Sequence, residues 1–412
     1  MIEPIVISPY PGADKSAIPL VIFPETEADS DPLGSDTNLR TDEEQDAGEG
    51  RLFTKYELQD FGGELMPNER VAMCMKHRIS VDSPVQVLYN QETGHSTYSN
   101  LMRCGSVWMC PVCAAKISEE RRIELNERIK YWKLNGNSVA LVTLTMQHAS
   151  SESCEAVLKP LLGSLSDFWR FREGQNIQND FNIIGKIRSI EPLLGENGWH
   201  NHFHIVLFIE GDTVDSEAIE KRMTNHWQHV LELNGRYADA EHGCTVTYNN
   251  ADIADYVNKL GKEDYSWSIA HELVNSHKKY YTNGSLTPMN LLAGAAFGEK
   301  FAADKWVEYA TAFKGTQQLH YSKGLKDILD ALIPDDEAEN EADEVEPLVM
   351  AVIRIEAWRK IIQMGLRGQV LGVASRGDTW QLLEFLEDMG LTRDIYYPPL
   401  DDDPRYIGRA LL

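Results

Sequence analysis

Along the chain, stretches with apolar residues at helical spacing alternate with stretches where they fall at every second place or run unbroken. Residues 114–136, AAKISEERRIELNERIKYWKLNG, carry Ile117, Ile123, Ile129 and Trp132 at near-helical spacing and stop at Gly136, which predicts an amphipathic helix. SVALVTLTM, 138–146, predicts a strand. EAVLKPLLGSLSDFWRFREG reads as helical, with Pro160 a candidate break. FNIIGKIRSIEPL, 181–193, reads as a strand, GENGW as a turn, and HNHFHIVLFI as the returning strand of a hairpin. DSEAIEKRMTNHWQHVLELNG predicts a helix ending at Gly235, CTVTY a short strand, and NADIADYVNKLG a helix capped near Asn250. Residues 286–332 and about 347–392 look helical.

Strands and helices in this order predict an α+β fold, a central antiparallel sheet flanked by helices. The expected organisation is an acidic disordered segment at 1–50, a cysteine-bearing module with its following helix at 51–136, and an α+β domain at 137–285. A helical extension at 286–333, an acidic linker at 334–347 and a C-terminal helical unit at 348–412 follow. Length and a 42% hydrophobic content allow two or three domains with real cores. The net charge of −25 argues at first against a nucleic-acid partner. The acids are concentrated, however: residues 25–50 hold ten with one Arg, and residues 335–346 hold eight with no base. A local basic groove elsewhere is therefore compatible with the charge. No apolar run reaches the ~18 residues of a membrane span, and the N-terminus lacks a basic leader, so a soluble cytoplasmic protein is expected. No GxxxxGK[ST] occurs, so no P-loop is readable.

Three clusters carry candidate chemistry. CGSVWMCPVC places Cys104, Cys110 and Cys113 at metal-ligand spacing, where a CPxC turn aims two thiolates at one tetrahedral zinc. Cys74 is the best fourth ligand and His77 the second; Cys154 and Cys244 lie apart and read as ordinary buried thiols. His200, His202 and His204 share one face of a strand, since alternate side chains point the same way. His202 and His204 are close enough to bind one ion, and Glu191 on the preceding strand could cross the hairpin to it, leaving positions open for a substrate oxygen. Two imidazoles and a carboxylate also serve non-haem iron oxygenases. Asp252, Tyr256 and Lys259 fall on one helical face, a tyrosine nucleophile with helpers.

CGSVWMCPVCAAKI, VTLT, IRSIEPLLGENGWHNHFHIVLF, ADYVNK and KWVEYATAFKGTQQLHYSKGL in this order resemble rolling-circle replication initiators of the HUH endonuclease superfamily, the plasmid and phage type with an N-terminal cysteine cluster. The resemblance covers roughly residues 70–330. It implies a ferredoxin- or RRM-like HUH domain. His202, His204 and Glu191 match the ligands of a catalytic Mn²⁺ or Mg²⁺, Tyr256 the nucleophile and Lys259 the lysine of the tyrosine motif. Asp252 stands where related proteins often have a Glu that activates water for the terminating cut. The implied reaction nicks and joins single-stranded origin DNA through a 5′-phosphotyrosine, leaving a 3′-OH for a host polymerase beside a separate host helicase, in a prokaryotic cell. A transposase of the superfamily would share this chemistry; a zinc-dependent DNA-binding protein without enzymatic activity would not. Binding single-stranded DNA needs cations and stacking surfaces, for which Arg170 and Arg172 in FWRFR and Lys186 and Arg188 beside the histidine hairpin are the candidates, with structural zinc at the cysteines.

Overall fold

The computed structural model describes residues 54–248, 285–334, 346–391 and 395–396. The first acidic run, nearly all of the second, and the helix expected at 250–261 with Asp252, Tyr256 and Lys259 lie outside the described residues. In chain order the elements are helix α1 (Lys55–Leu65), strands β1 (Val85–Tyr89) and β2 (Ser96–Tyr98), helix α2 (Pro111–Leu134) and strand β3 (Ser138–Leu144). Helices α3 (Cys154–Arg170) and α4 (Arg172–Asp180) precede the hairpin β4 (Ile183–Gly195) and β5 (Gly198–Ile209), helix α5 (Ser216–Leu233) and strand β6 (Cys244–Thr247). Then come α6 (Pro288–Ala296), α7 (Lys300–Phe313), β7 (Leu319–Tyr321), α8 (Leu325–Asp330), β8 (Leu348–Ile353), α9 (Ile355–Gln363), α10 (Arg367–Ala374), α11 (Thr379–Asp388) and β9 (Ile395–Tyr396).

The class is α+β with antiparallel sheets, as the order of elements predicts. The described residues divide into two compact units, a larger one within 117–334 and a smaller one made of 54–116 with 346–391 and 395–396. In the larger unit the strand order is β6-β3-β5-β4-β7, every neighbour antiparallel. One face of this sheet packs Val139, Leu141, Ile187, Val206 and Phe208 against Leu125, Ile129 and Trp132 of α2 and Leu325 and Leu329 of α8. Trp132 meets Phe208 edge-on, with ring centroids 5.7 Å apart, and its indole N–H donates to the Ser138 carbonyl at 2.7 Å. Burying such large apolar side chains contributes ~1.5–3 kcal/mol each. Helix α3 lies along β5 and packs against α5 and α7, burying Val157, Leu161 and Phe168.

Pro160 does not break α3. Proline has no N–H to give the carbonyl four residues back. That carbonyl, of Ala156, accepts from the Arg236 guanidinium at 3.0 Å instead. The helix ends at Phe171, where the chain turns into α4. There Gly174 passes so close to α3 that a β-carbon would sit 1.9 Å from the Phe168 carbonyl oxygen.

The smaller unit departs from the division expected from sequence. The described part of the helical unit expected at 348–412 does not stand by itself: β8 pairs with β1 and β9 in a sheet of order β2-β1-β8-β9. Tyr98 of β2 meets Trp358 of α9 edge-on at 5.0 Å. LVMAVI is a six-residue apolar run whose periodicity suits a buried strand or a helical turn equally, and only pairing with β1 resolves it. Leu319–Tyr321 is a strand for the same reason, drawn onto the edge of β4.

At the tip of the β4–β5 hairpin Gly198 takes φ +90°, and a β-carbon there would lie 2.9 Å from the Ser150 carbonyl oxygen. Gly198→Ala should therefore destabilise the chain by about 1–3 kcal/mol in urea unfolding followed by tryptophan fluorescence. A loss below about 0.5 kcal/mol, the range of an ordinary surface change, would show that the Ser150 loop yields.

Candidate functional site

A single face of the larger sheet changes character along its length. On β5 it runs from Phe208 and Val206 in the core to His204, His202 and His200; on β4 from Ile187 to Ser189 and Glu191; on β3 from Val139 and Leu141 to Thr143. The apolar part is covered by α2 and α8, and the polar part continues the same row of side chains. In the hairpin register Glu191 lies opposite His202, while Ser189 and Thr143 lie opposite His204 from either side.

Glu191 Oε2 sits 2.8 Å from His202 Nε2 and 2.9 Å from His204 Nε2. All three residues are buried, Glu191 completely, and their ligand atoms lie within 4.8 Å of one another. A buried carboxylate is costly unless its charge is compensated. A cation held between it and the two imidazoles would supply that compensation. Bonds of about 2.1 Å at right angles would place neighbouring ligand atoms about 3 Å apart, so the observed separations fit a six-coordinate divalent ion. For Nε2 to bind a metal the proton must sit on Nδ1, and a partner for that proton fixes the tautomer. Thr143 Oγ1, 3.2 Å from His204 Nδ1, is placed to accept it. The buried His202 Nδ1 has no such hydrogen-bond partner among the described residues.

His200 shares the face but not the triad. It meets His148, from the loop after β3, with His148 Nε2 and His200 Nδ1 3.3 Å apart. Burial, with His202 and His148 adding to it, pushes the His200 pKa down to about 4, and burial also lowers that of His148. The pair is thus neutral at physiological pH. His148 and Thr143 went unnoticed in the sequence, although the alternation of VTLT beside the histidine strand was the signal for Thr143.

The four cations proposed to bind DNA are not gathered at the histidines. Lys186 and Arg188 are even-numbered on β4, so strand alternation turns them to the face opposite Glu191. Lys186 Nζ lies 4.1 Å from the centre of the Trp169 ring and donates to Gln178 Oε1 at 2.8 Å; burial lowers its pKa to about 8. Arg188 donates to the Gln317 carbonyl at 3.3 Å and lies over Phe203. Arg170 pairs with Asp167 at 2.5 Å on α3, and Arg172 is exposed at the start of α4.

In the smaller unit the sulfurs of Cys74, Cys104, Cys110 and Cys113 form the second cluster. Cys74–Cys113 Sγ atoms are 3.5 Å apart, and Cys104–Cys113 and Cys110–Cys74 each 3.7 Å. Tetrahedral zinc with bonds of about 2.3 Å needs sulfurs about 3.7 Å apart, so the donor set and its spacing fit that ion. Cys74, not His77, is the fourth member of the group. Backbone N–H groups of Cys104 and Cys113 donate to Cys74 and Cys110 Sγ at 3.3 and 3.4 Å, the pattern that supports thiolates. Hydrogen bonds from Cys104, Cys110 and Cys74 hold the Cys113 thiol far below the usual range. Cys154 and Cys244 are separate buried thiols, pushed upward by burial.

Fold and site together define an α+β protein with two candidate metal centres, one of thiolates and one of carboxylate and imidazoles. The family model described as Replication protein matches residues 100–359, more than half of the chain, which therefore belongs to the Rep_1 replication protein family and is a replication initiator. It is 25% identical over 325 residues to Protein rep of Streptomyces lividans, covering 63% of this chain and 69% of that protein. A second similarity, 26% over 156 residues, is to a protein of Streptomyces cyanogenus named Neomycin resistance protein, of which the chain spans about a third, 36%. No solved structure matches the chain. No helix among the described residues is long and apolar enough to cross a membrane.

If Thr143 fixes the His204 tautomer, Thr143→Val should weaken Mn²⁺ binding about 10–100-fold in titration calorimetry, and Thr143→Ser should restore most of it. Equal affinity for wild type and Thr143→Val would remove Thr143 from the site.

Proposed function

We propose that this replication protein starts rolling-circle replication by nicking and rejoining single-stranded origin DNA, with Tyr256 as the nucleophile. The observation that carries the reading is the convergence of Glu191, His202 and His204 on one sheet face, followed in sequence by the Tyr256–Lys259 motif. Glu191, His202 and His204 would hold Mn²⁺ or Mg²⁺, imidazole favouring the former and availability the latter. When bound, such an ion acts as a Lewis acid on the scissile phosphate. The zinc of the cysteine cluster would be structural, because four thiolates leave no position open.

The chain's own residues do the rest. The Tyr256 oxygen forms a bond to phosphorus as the bond to the 3′ oxygen breaks. The tyrosine gives up its proton and the departing 3′ oxygen takes one up, so the exchange is balanced. One phosphodiester replaces another, and the reverse attack by the 3′-OH reseals the strand without ATP. With a reference pKa near 10, about a thousandth of a free tyrosine is ionised at neutral pH, so Lys259 is assigned to favour the phenolate or to hold the phosphate. Asp252 is assigned to activate water for the terminating cut. Arg170, Arg172, Lys186 and Arg188 remain assigned to the DNA backbone, as contacts away from the histidine face. A host helicase and polymerase would open the duplex and extend the 3′-OH.

The test incubates the full chain with Mn²⁺ and a labelled single-stranded origin oligonucleotide. A covalent protein–DNA adduct is expected, abolished by Tyr256→Phe and prevented by EDTA. An adduct that persists in Tyr256→Phe would overturn the nucleophile. Asp252→Ala should leave the first nick intact and slow release of the strand; unchanged multiple turnover would remove its role in termination.

A further inference from the structure

Arg367, at the start of α10, is a fully buried guanidinium. Its Nη1 donates to Gln59 Oε1 at 2.7 Å and to the Met75 carbonyl at 3.2 Å. Its Nη2 donates to Asp60 Oδ1 at 2.6 Å and to the Tyr56 carbonyl at 3.3 Å. The backbone of Arg367 is held in turn by the Tyr98 hydroxyl, which donates to its carbonyl at 2.9 Å. Two of these contacts lead to the cysteine cluster. Gln59, also fully buried, donates from Nε2 to Cys110 Sγ at 2.9 Å. Met75 follows Cys74 directly and takes φ +53°, a left-handed turn that a non-glycine residue enters at a cost.

The relay has one polarity. Arg367 can only donate, so Gln59 must turn its carbonyl oxygen to Arg367 and its amide N–H to Cys110. A hydrogen bond from a buried N–H favours the thiolate over the thiol. The charges point the same way. Asp60 is shared between Arg367 and Lys76, the latter at 2.7 Å, so one carboxylate faces two cations and an excess positive charge remains. Four thiolates around one Zn²⁺ would carry a net charge of −2, half of which that excess offsets.

We propose that Arg367 is a positioning residue for the four-cysteine centre, so that metal retention at Cys74, Cys104, Cys110 and Cys113 depends on the C-terminal segment that carries it. This rests on the reading of the cluster as a zinc site. Acting through Gln59 and the Met75 carbonyl, Arg367 orients two of the four sulfurs although it lies far from all of them in sequence.

The full chain, purified with zinc, is mixed with a chromogenic chelator and the rate of zinc release is measured. Arg367→Met, which keeps the bulk but removes every donor, should release zinc at least about tenfold faster, the low end of the loss seen when a ligand's hydrogen-bond partner is removed. Arg367→Lys, with charge but no fork, should fall between. Gln59→Glu guards against a folding defect: its carboxylate still accepts from Arg367 but cannot donate to Cys110. It should keep the wild-type circular dichroism spectrum, release zinc faster, and shift the sulfur-to-metal absorption of the Co²⁺-substituted chain. Wild-type release rates in both Arg367→Met and Gln59→Glu, with an unshifted Co²⁺ spectrum, would overturn the relay. A freshly purified wild type without zinc would instead overturn the zinc reading on which it rests.

Discussion

The register between β4 and β5 is the constraint on which the candidate active site depends. Side chains alternate with a period of two, so a slip of one residue would turn Glu191 away from His202 and His204 together. The register is held where chemistry is absent, by Val206 and Phe208 packing beneath α2 and by Ile187 beside them on β4. Core and site are one continuous row of side chains. Rigidity in the apolar half is therefore passed directly to the ligand atoms, which stand 2.8 and 2.9 Å from a shared carboxylate oxygen.

The two candidate metal centres solve opposite problems. The cysteine cluster closes four sulfurs around one point and draws N–H donors from the backbone and from Gln59. A metal held by all four would keep no position open for a substrate. The carboxylate–imidazole triad supplies three donors from one sheet face, which leaves further positions for oxygen ligands. Their supports differ accordingly. Thr143 steadies His204 from the neighbouring strand, whereas the cysteine cluster is tied to a segment near the far end of the chain through Arg367.

Much of this was legible in local pattern. The hairpin, the helices α2 and α5 and the grouping of His202, His204 and Glu191 follow from periods of two and 3.6 residues and from a turn rich in glycine. The cysteine spacing was equally readable, and Cys74 was the better of two candidates for the fourth donor. Where local reading failed, the cause was a partner distant in sequence. Pro160 looked like a helix break because the Arg236 guanidinium that satisfies the Ala156 carbonyl lies beyond any local window. Lys186 and Arg188 lie near Glu191 in sequence, yet their even-numbered positions on β4 turn them to the opposite face of the sheet.

By itself the sequence determined the class of fold, the residues able to bind metals, and the resemblance that the family match bears out. These depend on composition, spacing and periodicity, which survive in a one-dimensional string. The tertiary structure alone decided that 348–353 is a strand of the cysteine-bearing unit, that Thr143 and His148 face the histidines, and that a buried arginine holds the glutamine that donates to Cys110. Each is a pairing of buried polar groups or strand edges across long stretches of chain. Its physical cause is the need of a buried donor or acceptor for a partner, and which partner answers is settled only when the chain has folded.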